Sequence, residues 1–214
     1  MPRPLVVTTF VTLDGVMQGP GGPQEDPSGG FAHGGWHQPP SADDDIGPQV
    51  ITEWFAGAQD FLLGRTTYEI FAGFWPQVPA DAGNPIADAL NTKPKWVASR
   101  TLEKVEWDGA RLIEGDVAEA VEKLKAEDGG ELQVHGSAGL IQTLLAEDLV
   151  DELRLTVVPA TLGTGKRLFG DGTIARGWQL TASKATPTGV LLATYQRVGE
   201  LRTGEFTLED ELNR

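Results

Sequence analysis

Residues 132–158, LQVHGSAGLIQTLLAEDLVDELRLTVV, decide the fold of this chain. Leu132-Gln133-Val134 is a short apolar run of the kind that forms a buried strand. Gly136 breaks it, and from Ser137 to Leu145 the apolar residues Leu140, Ile141, Leu144 and Leu145 recur at the spacing of one helical face. Leu153 to Val158 then alternates as a second strand. Strand, helix and strand in this order form a βαβ unit, whose two strands run parallel because the helix carries the chain back.

The same plan extends to both sides. Leu5 to Leu13 (LVVTTFVTL) is rich in β-branched residues and stops at the turn residues Asp14-Gly15, as a first central strand should. Gly15 to Pro48 carries Pro20-Gly21-Gly22-Pro23 and shows no sustained period, so residues 15–48 are expected to form a long loop. A loop of this length within a compact domain serves as a tether or as a cover over a site, and the cover is preferred. Ile46, Val50, Trp54 and Phe55 mark a helical face between Ile46 and Gly57, and Phe61-Leu62-Leu63 and Trp96-Val97-Ala98 read as short buried strands. Asp116 can cap a helix with Glu119 at its third position, with Val117, Val121 and Leu124 as the buried stripe. Trp178 to Ala185 and Val190 to Val198, joined by Thr186-Pro187-Thr188-Gly189, read as an antiparallel hairpin. The expected fold is therefore α/β, a mostly parallel central sheet flanked by helices with an antiparallel C-terminal hairpin at its edge. One domain is expected over residues 1–198, followed by an acidic tail, residues 199–214.

Composition narrows the function. Among 214 residues, 31 Asp and Glu against 17 Lys and Arg give a formal net charge of −14, a field that repels nucleic acid and anionic membrane surfaces. No apolar stretch is long enough to cross a bilayer, and the first residues lack the pattern of a secretory signal. The chain has no cysteine, which removes disulfides and thiolate chemistry and fits a cytoplasmic protein. A phosphorylated ligand must then be held by local basic side chains and backbone N–H groups.

Three segments place small or hydroxyl residues at the ends of expected strands: Leu63-Gly64-Arg65-Thr66-Thr67, Val97-Ala98-Ser99-Arg100-Thr101 and Val134-His135-Gly136-Ser137-Ala138-Gly139. Ligands of open α/β sheets bind at the carboxyl ends of the strands, where glycines followed by a helix expose N–H donors to phosphate. A dinucleotide could bridge these loops, with Arg65 and Arg100 as cationic partners for a ribose phosphate. Taken singly each has a plain alternative: Gly64 as a strand stop, Arg65 as a surface ion pair, Gly136 as a point of close packing.

At these segments the chain resembles the reductase domain of riboflavin biosynthesis and its relatives, the dihydrofolate-reductase-like proteins of bacteria. The resemblance is carried by Thr12-Leu13-Asp14-Gly15-Val16, Leu63-Gly64-Arg65-Thr66-Thr67-Tyr68-Glu69, Val97-Ala98-Ser99-Arg100-Thr101-Leu102 and His135-Gly136-Ser137-Ala138-Gly139-Leu140. Leu149-Val150-Asp151-Glu152-Leu153 and Pro159-Ala160-Thr161-Leu162-Gly163-Thr164-Gly165-Lys166-Arg167-Leu168-Phe169 continue it, so it spans nearly the whole chain. It implies NADPH as cofactor, with Gly64, Arg65, Thr66 and Thr67 near the adenosine phosphate, Ser99 and Arg100 beside it, and Gly136, Ser137, Ala138, Gly139 and Leu140 under the pyrophosphate. It also implies a homodimer, and hydride transfer to a small heterocyclic or carbonyl substrate. Asp14, which resembles a family position beside the nicotinamide, is the expected proton donor; its plain alternative is a turn aspartate bonded to its own backbone.

The chain also departs from the family. Where dihydrofolate reductases carry an acidic residue on the first helix the match is poor and Glu53 is only a candidate, which puts pterin reduction in doubt. No deaminase is attached, and the loop holding Phe31 to His37 is extended, so a divergent substrate is expected. His33, Trp36 and His37 in the cover and Lys166 beyond the glycines are candidate substrate contacts, or loop-packing residues. Gly163-Thr164-Gly165-Lys166 lacks the spacing of a phosphate loop, and His33 with His37 has no third ligand, so no metal is expected. Asp43-Asp44-Asp45 reads as a solvated loop or helix start. The rival to a reductase is a nucleotide-binding or regulatory protein that kept the fold without turnover.

Overall fold

The computed structural model describes residues 2–41 and 44–205. Its strands are β1 (Leu5–Thr12), β2 (Ala58–Gly64), β3 (Lys95–Ala98), β4 (Ala110–Leu112), β5 (Glu131–His135), β6 (Glu152–Val158), β7 (Arg176–Ala185) and β8 (Leu191–Glu200). They form one sheet in the order β4-β3-β2-β5-β1-β6-β8-β7. Pairing is parallel from β4 to β6, and β8 lies antiparallel to both β6 and β7. This is the expected mostly parallel sheet, with the antiparallel hairpin at its edge.

Helices α1 (Gln38–Ser41), α2 (Ile46–Gly57), α3 (Arg65–Phe74), α4 (Pro85–Thr92), α5 (Val117–Ala126) and α6 (Ala138–Ala146) connect the strands. Alternation along the strands sends Leu5, Val7, Leu62, Leu132 and Val134 into a cluster with Val121 and Leu124 of α5 and Leu140, Ile141, Leu144 and Leu145 of α6. Phe61, Leu63 and Val97 point the other way, against Phe55 of α2, Tyr68 of α3 and Leu90 of α4. Central strands are covered on both faces, which is why β1 is rich in apolar and β-branched residues and is buried at every position but Phe10. Each fully buried Leu or Ile contributes about 1.5–3 kcal/mol relative to exposure.

Several expectations need correction. The irregular segment is shorter than residues 15–48, because α1 and the first turn of α2 lie inside it. Asp44 accepts the N–H groups of Ile46 and Gly47 at 2.9 and 3.2 Å and so starts α2, while the two prolines of α1 fall in its first turns, where no helical N–H is needed. Helices α3 and α4 and strand β4 were not anticipated. Asn84-Pro85 opens α4 with a side-chain cap to Ile86 and Ala87 and a proline in the first turn, a signal present in the sequence. At the C-terminus β8 continues to Glu200, two residues into the expected tail. Asp43 and residues 206–214 of that tail lie outside the described residues. No described helix is long and apolar enough to cross a membrane.

Candidate functional site

Parallel pairing brings the ends of β1, β2, β3, β5 and β6 to one edge of the sheet: Gly64 is in register with Ala98, Thr8 with His135 and Thr12 with Val158. The segments that follow these strands therefore surround a common rim. Helix N-termini at that rim divide into two kinds. Asp44, Asn84 and Asp116 accept hydrogen bonds from the first turns of α2, α4 and α5. Helices α3 and α6 have no side-chain cap, so the first N–H groups of Arg65, Thr66 and Thr67 and of Ala138, Gly139 and Leu140 keep their donor capacity. Both begin in the glycine segments singled out above.

The two uncapped turns touch. The Gly64 N–H donates to Ser137 Oγ at 2.8 Å, and the Ser137 hydroxyl donates to Thr67 Oγ1 at 2.7 Å. A Cβ on Gly64 would stand 2.8 Å from Ser137 Oγ, and one on Gly136 would stand 3.3 Å from Thr67 Oγ1. Gly136 has φ 56° and Ser137 φ 69°; the left-handed region is free to glycine but costs serine about 1–2 kcal/mol. Ser99 Oγ accepts the N–H groups of Thr101 and Leu102 and so shapes the turn after β3. Arg65 is exposed and pairs with Glu69 at 3.3 Å, an exposed contact worth at most a few tenths of a kcal/mol and easily exchanged for a phosphate. Arg100 is exposed and makes no ion pair among the described residues.

Asp14 is tied on every side. Its carboxylate accepts from the Thr12 hydroxyl at 2.6 Å, from Gly163 N–H at 2.7 Å and from Leu162 N–H at 3.2 Å. Arg167 donates to the Asp14 carbonyl. The Thr12 bond foremost, then that of Gly163, lowers its pKa to about 2. A carboxyl in that state is ionised at neutral pH and has no proton to give. In this structure Asp14 acts as a turn aspartate that also ties β1 to the segment after β6.

Of the five residues expected near substrate, two lie against the sheet, His37, with its ring 4.1 Å from that of Phe10 of β1, and Trp36. Burial pushes the pKa of His37 down to about 4, against an opposing pull from Asp44. His33 is exposed and meets Phe31 edge-on. Trp36 is buried and donates from Nε1 to the Gln18 carbonyl at 2.7 Å, packing the loop against Val16, Phe31 and Val158. Glu53 is exposed on α2, with Gln49 one turn away as its partner. Lys166 is engaged as a latch: its ammonium pairs with Asp26 at 2.6 Å and its N–H donates to Gln18 Oε1 at 3.0 Å.

Neither the bonds of Gln18 nor the burial of His135 was read from the sequence. Gln18 is a buried hub whose amide also donates to the carbonyls of Asp26 and Ser28. His135 stacks on Phe55 at 4.2 Å with its Nε2 3.0 Å from Gln133 Oε1, and burial, reinforced by Arg154, pushes its pKa down to about 3. The bonds of Gln18 depend on how its loop folds back on itself, which no periodic pattern records. An open groove of about 440 Å³ runs along α5 between Trp96, Leu112 and Lys123, and includes none of the rim residues.

The chain matches the RibD C-terminal domain over residues 3–192. It belongs to that family. Curated relatives include the uncharacterized protein YyaP of Bacillus subtilis, 27% identical over 198 residues, which cover 90% of this chain and 94% of YyaP. The uncharacterized protein YwjB of the same organism is 25% identical over 138 residues, 64% of this chain and 74% of YwjB. Among solved structures, a riboflavin biosynthesis protein from Shewanella sp. PV-4 superposes with TM-score 0.65 at 23% identity, over 92% of this chain and 99% of that one. Dihydrofolate reductase from Enterococcus faecalis, complexed with NADP(H), gives 0.57 at 16% identity over 91% and 96%. A pyrimidine reductase-like protein from Corynebacterium diphtheriae gives 0.59 at 14% identity over 93% of each chain. At these identities the superpositions establish the dihydrofolate-reductase-like fold.

Proposed function

We propose that the protein is an NADPH-dependent reductase whose cofactor lies along the rim formed by residues 64–67, 99–100 and 136–140. The observation that carries this reading is the contrast in capping: three helices end in carboxylate or amide caps, while the two adjoining helices with glycine entries leave their N–H groups to an anion. The residues fit the group, because the Gly64 and Gly136 turns come within contact of each other only without Cβ atoms. Arg65 and Arg100, both exposed at this rim, suit the additional ribose phosphate of NADPH. The descriptions of two structural neighbours, a dihydrofolate reductase complexed with NADP(H) and a pyrimidine reductase-like protein, support the same reading.

Bound there, the reduced nicotinamide supplies the hydride. The chain's own contribution is orientation and exclusion of water. Ionised Asp14 holds the turns after β1 and β6 together and places a negative charge at the rim. The loop, latched through Gln18, Lys166 and Asp26, covers the sheet face beside His37. Neither Asp14, ionised, nor His37, neutral at pH 7, acts as the acid; we assign any proton to solvent. The substrate is a small heterocycle or carbonyl compound, and β7, the exposed edge of the sheet, is the surface for a homodimer.

The test is a titration with NADPH and with NADH, followed by thermal stability, since a ligand of the folded state raises the midpoint. NADPH binds preferentially, and Arg65→Gln with Arg100→Gln removes the preference by about tenfold or more while leaving NADH unaffected. Saturable binding of neither nucleotide overturns the reading. Binding without NADPH oxidation across a panel of heterocycles and carbonyl compounds favours the rival, a nucleotide-binding protein without turnover.

A further inference from the structure

We propose that Ser137 is a positioning residue, a brace between the two cofactor-holding turns, and that it leaves Thr67 to present the hydroxyl donor to the phosphate. The ligand in this statement rests on the NADPH reading; the brace does not.

A serine at the N-cap normally accepts an N–H from its own helix. Ser137 makes no such bond to α6. Its hydroxyl reaches instead to the other βα unit, accepting from Gly64 N–H at 2.8 Å and donating to Thr67 Oγ1 at 2.7 Å. A hydroxyl has one proton, and here it is committed to Thr67. The face of Ser137 Oγ left over is a lone pair, which repels an anion. Ser137 is therefore not a phosphate ligand. Thr67 receives the bond and keeps its own proton, so the chain of donors ends in an unspent O–H in the first turn of α3, beside free N–H groups. Successive donors aligned this way polarise one another and strengthen the last.

Two further observations agree. Glycine is the residue the local backbone prefers at position 137, yet a serine holds φ 69°, ψ 66° there, which points to a side-chain role that offsets the strain. The neighbouring glycines also acquire a specific meaning. A Cβ at Gly64 would lie 2.9 Å from Ser137 Cβ and 2.8 Å from its Oγ, and one at Gly136 would crowd Thr67 Oγ1 at 3.3 Å. Both positions are bare because the brace passes through them.

The experiment compares Ser137→Ala, Ser137→Gly, Thr67→Val and the double variant Ser137→Gly/Thr67→Val in the intact protein. The Gly variant relieves the backbone and guards against a folding failure of the Ala variant. Without ligand, amide exchange at Gly64 accelerates at least tenfold in both Ser137 variants and stays as in wild type in Thr67→Val. With ligand, all single variants weaken NADPH and inorganic pyrophosphate about tenfold, chiefly in the NADPH KM with kcat within twofold. The double variant is no weaker than Thr67→Val by more than about twofold, since both changes cut one relay. Unchanged Gly64 exchange together with effects that multiply in the double variant makes Ser137 a direct ligand and overturns the brace. Wild-type affinity in Ser137→Gly overturns it as well. Should wild type bind neither probe, the cofactor reading and the role of Thr67 fall, and Gly64 exchange alone still decides for or against the brace.

Discussion

Gly165 shows how closely single residues are fitted at the rim. It has φ 118°, and a Cβ there would stand 2.7 Å from Val16 and 2.9 Å from Phe31. Gly165→Ala meets both a forbidden backbone region and a filled core, so a loss of about 1–3 kcal/mol is expected, read as a lower thermal midpoint. Asp14 makes a different prediction. Because its carboxyl titrates at about 2, below the ordinary 3.8, the charge is complete above pH 4, and its ties weaken only as pH falls toward 2. The kcat/KM profile between pH 5 and 8 is therefore free of an Asp14 limb, while Asp14→Asn lowers turnover about tenfold at constant NADPH affinity. A wild-type limb near pH 6 that vanishes in Asp14→Asn would return the proton to this residue. At this scale the sequence was partly legible. A turn at Asp14 followed from Asp-Gly after a strand, whereas the partners of Glu53 and Lys166 could not be read without knowing which way α2 faces and where Asp26 lies.

Elements carry the next two predictions. On β5, Glu131, Gln133 and His135 share one face, and Arg154 of β6 grips Glu131 at 2.6 and 2.9 Å while Gln133 bonds Glu131 and His135. His135 is neutral when folded, with its pKa near 3 against 6.5 when exposed. Between those values the unfolded chain takes up a proton that the folded one refuses, so stability is complete above about pH 6.5 and falls with acidification. At about 1.4 kcal/mol per unit, wild type loses roughly 2.5 kcal/mol more than His135→Phe on passing from pH 7 to 4.5, measured by urea unfolding at each pH. An equal loss in the variant sinks this account. The cover is the second case. Lys166–Asp26 is partly exposed and contributes little to global stability, so Asp26→Asn leaves the midpoint within a degree or two but speeds limited proteolysis within residues 19–35. Helix α5 and the βαβ core announced themselves through periodicity and caps. Helix α3 did not, since it starts directly from Gly64 without a turn or a capping side chain.

For the whole molecule, the exposed hairpin is the feature that most invites association. β7 is a ten-residue edge strand, and Leu180 and Val198 are 50% and 57% exposed. If the dimer uses this edge, Leu180→Lys with Val198→Lys yields a monomer of about half the mass by light scattering, with NADPH affinity unchanged because the rim lies elsewhere. A dimer that survives both charges places the interface on another surface. The fold class was readable because buried strands, glycine turns and helical stripes agree across the chain. The cover's internal bonds were not, because they join residues whose proximity the fold alone creates. The strand order also has a consequence for how the chain is made. β1, which leaves the ribosome before the other strands of this sheet, pairs with β5 and β6, so Leu5 waits for Leu132 and Val6 for Glu152. Its apolar face, LVVTTFVT, stays unpartnered through most of synthesis. Folding is thus closed from the far end of the chain, at high contact order, and a ribosome stalled before residue 158 holds an open sheet centre that other nascent chains can enter.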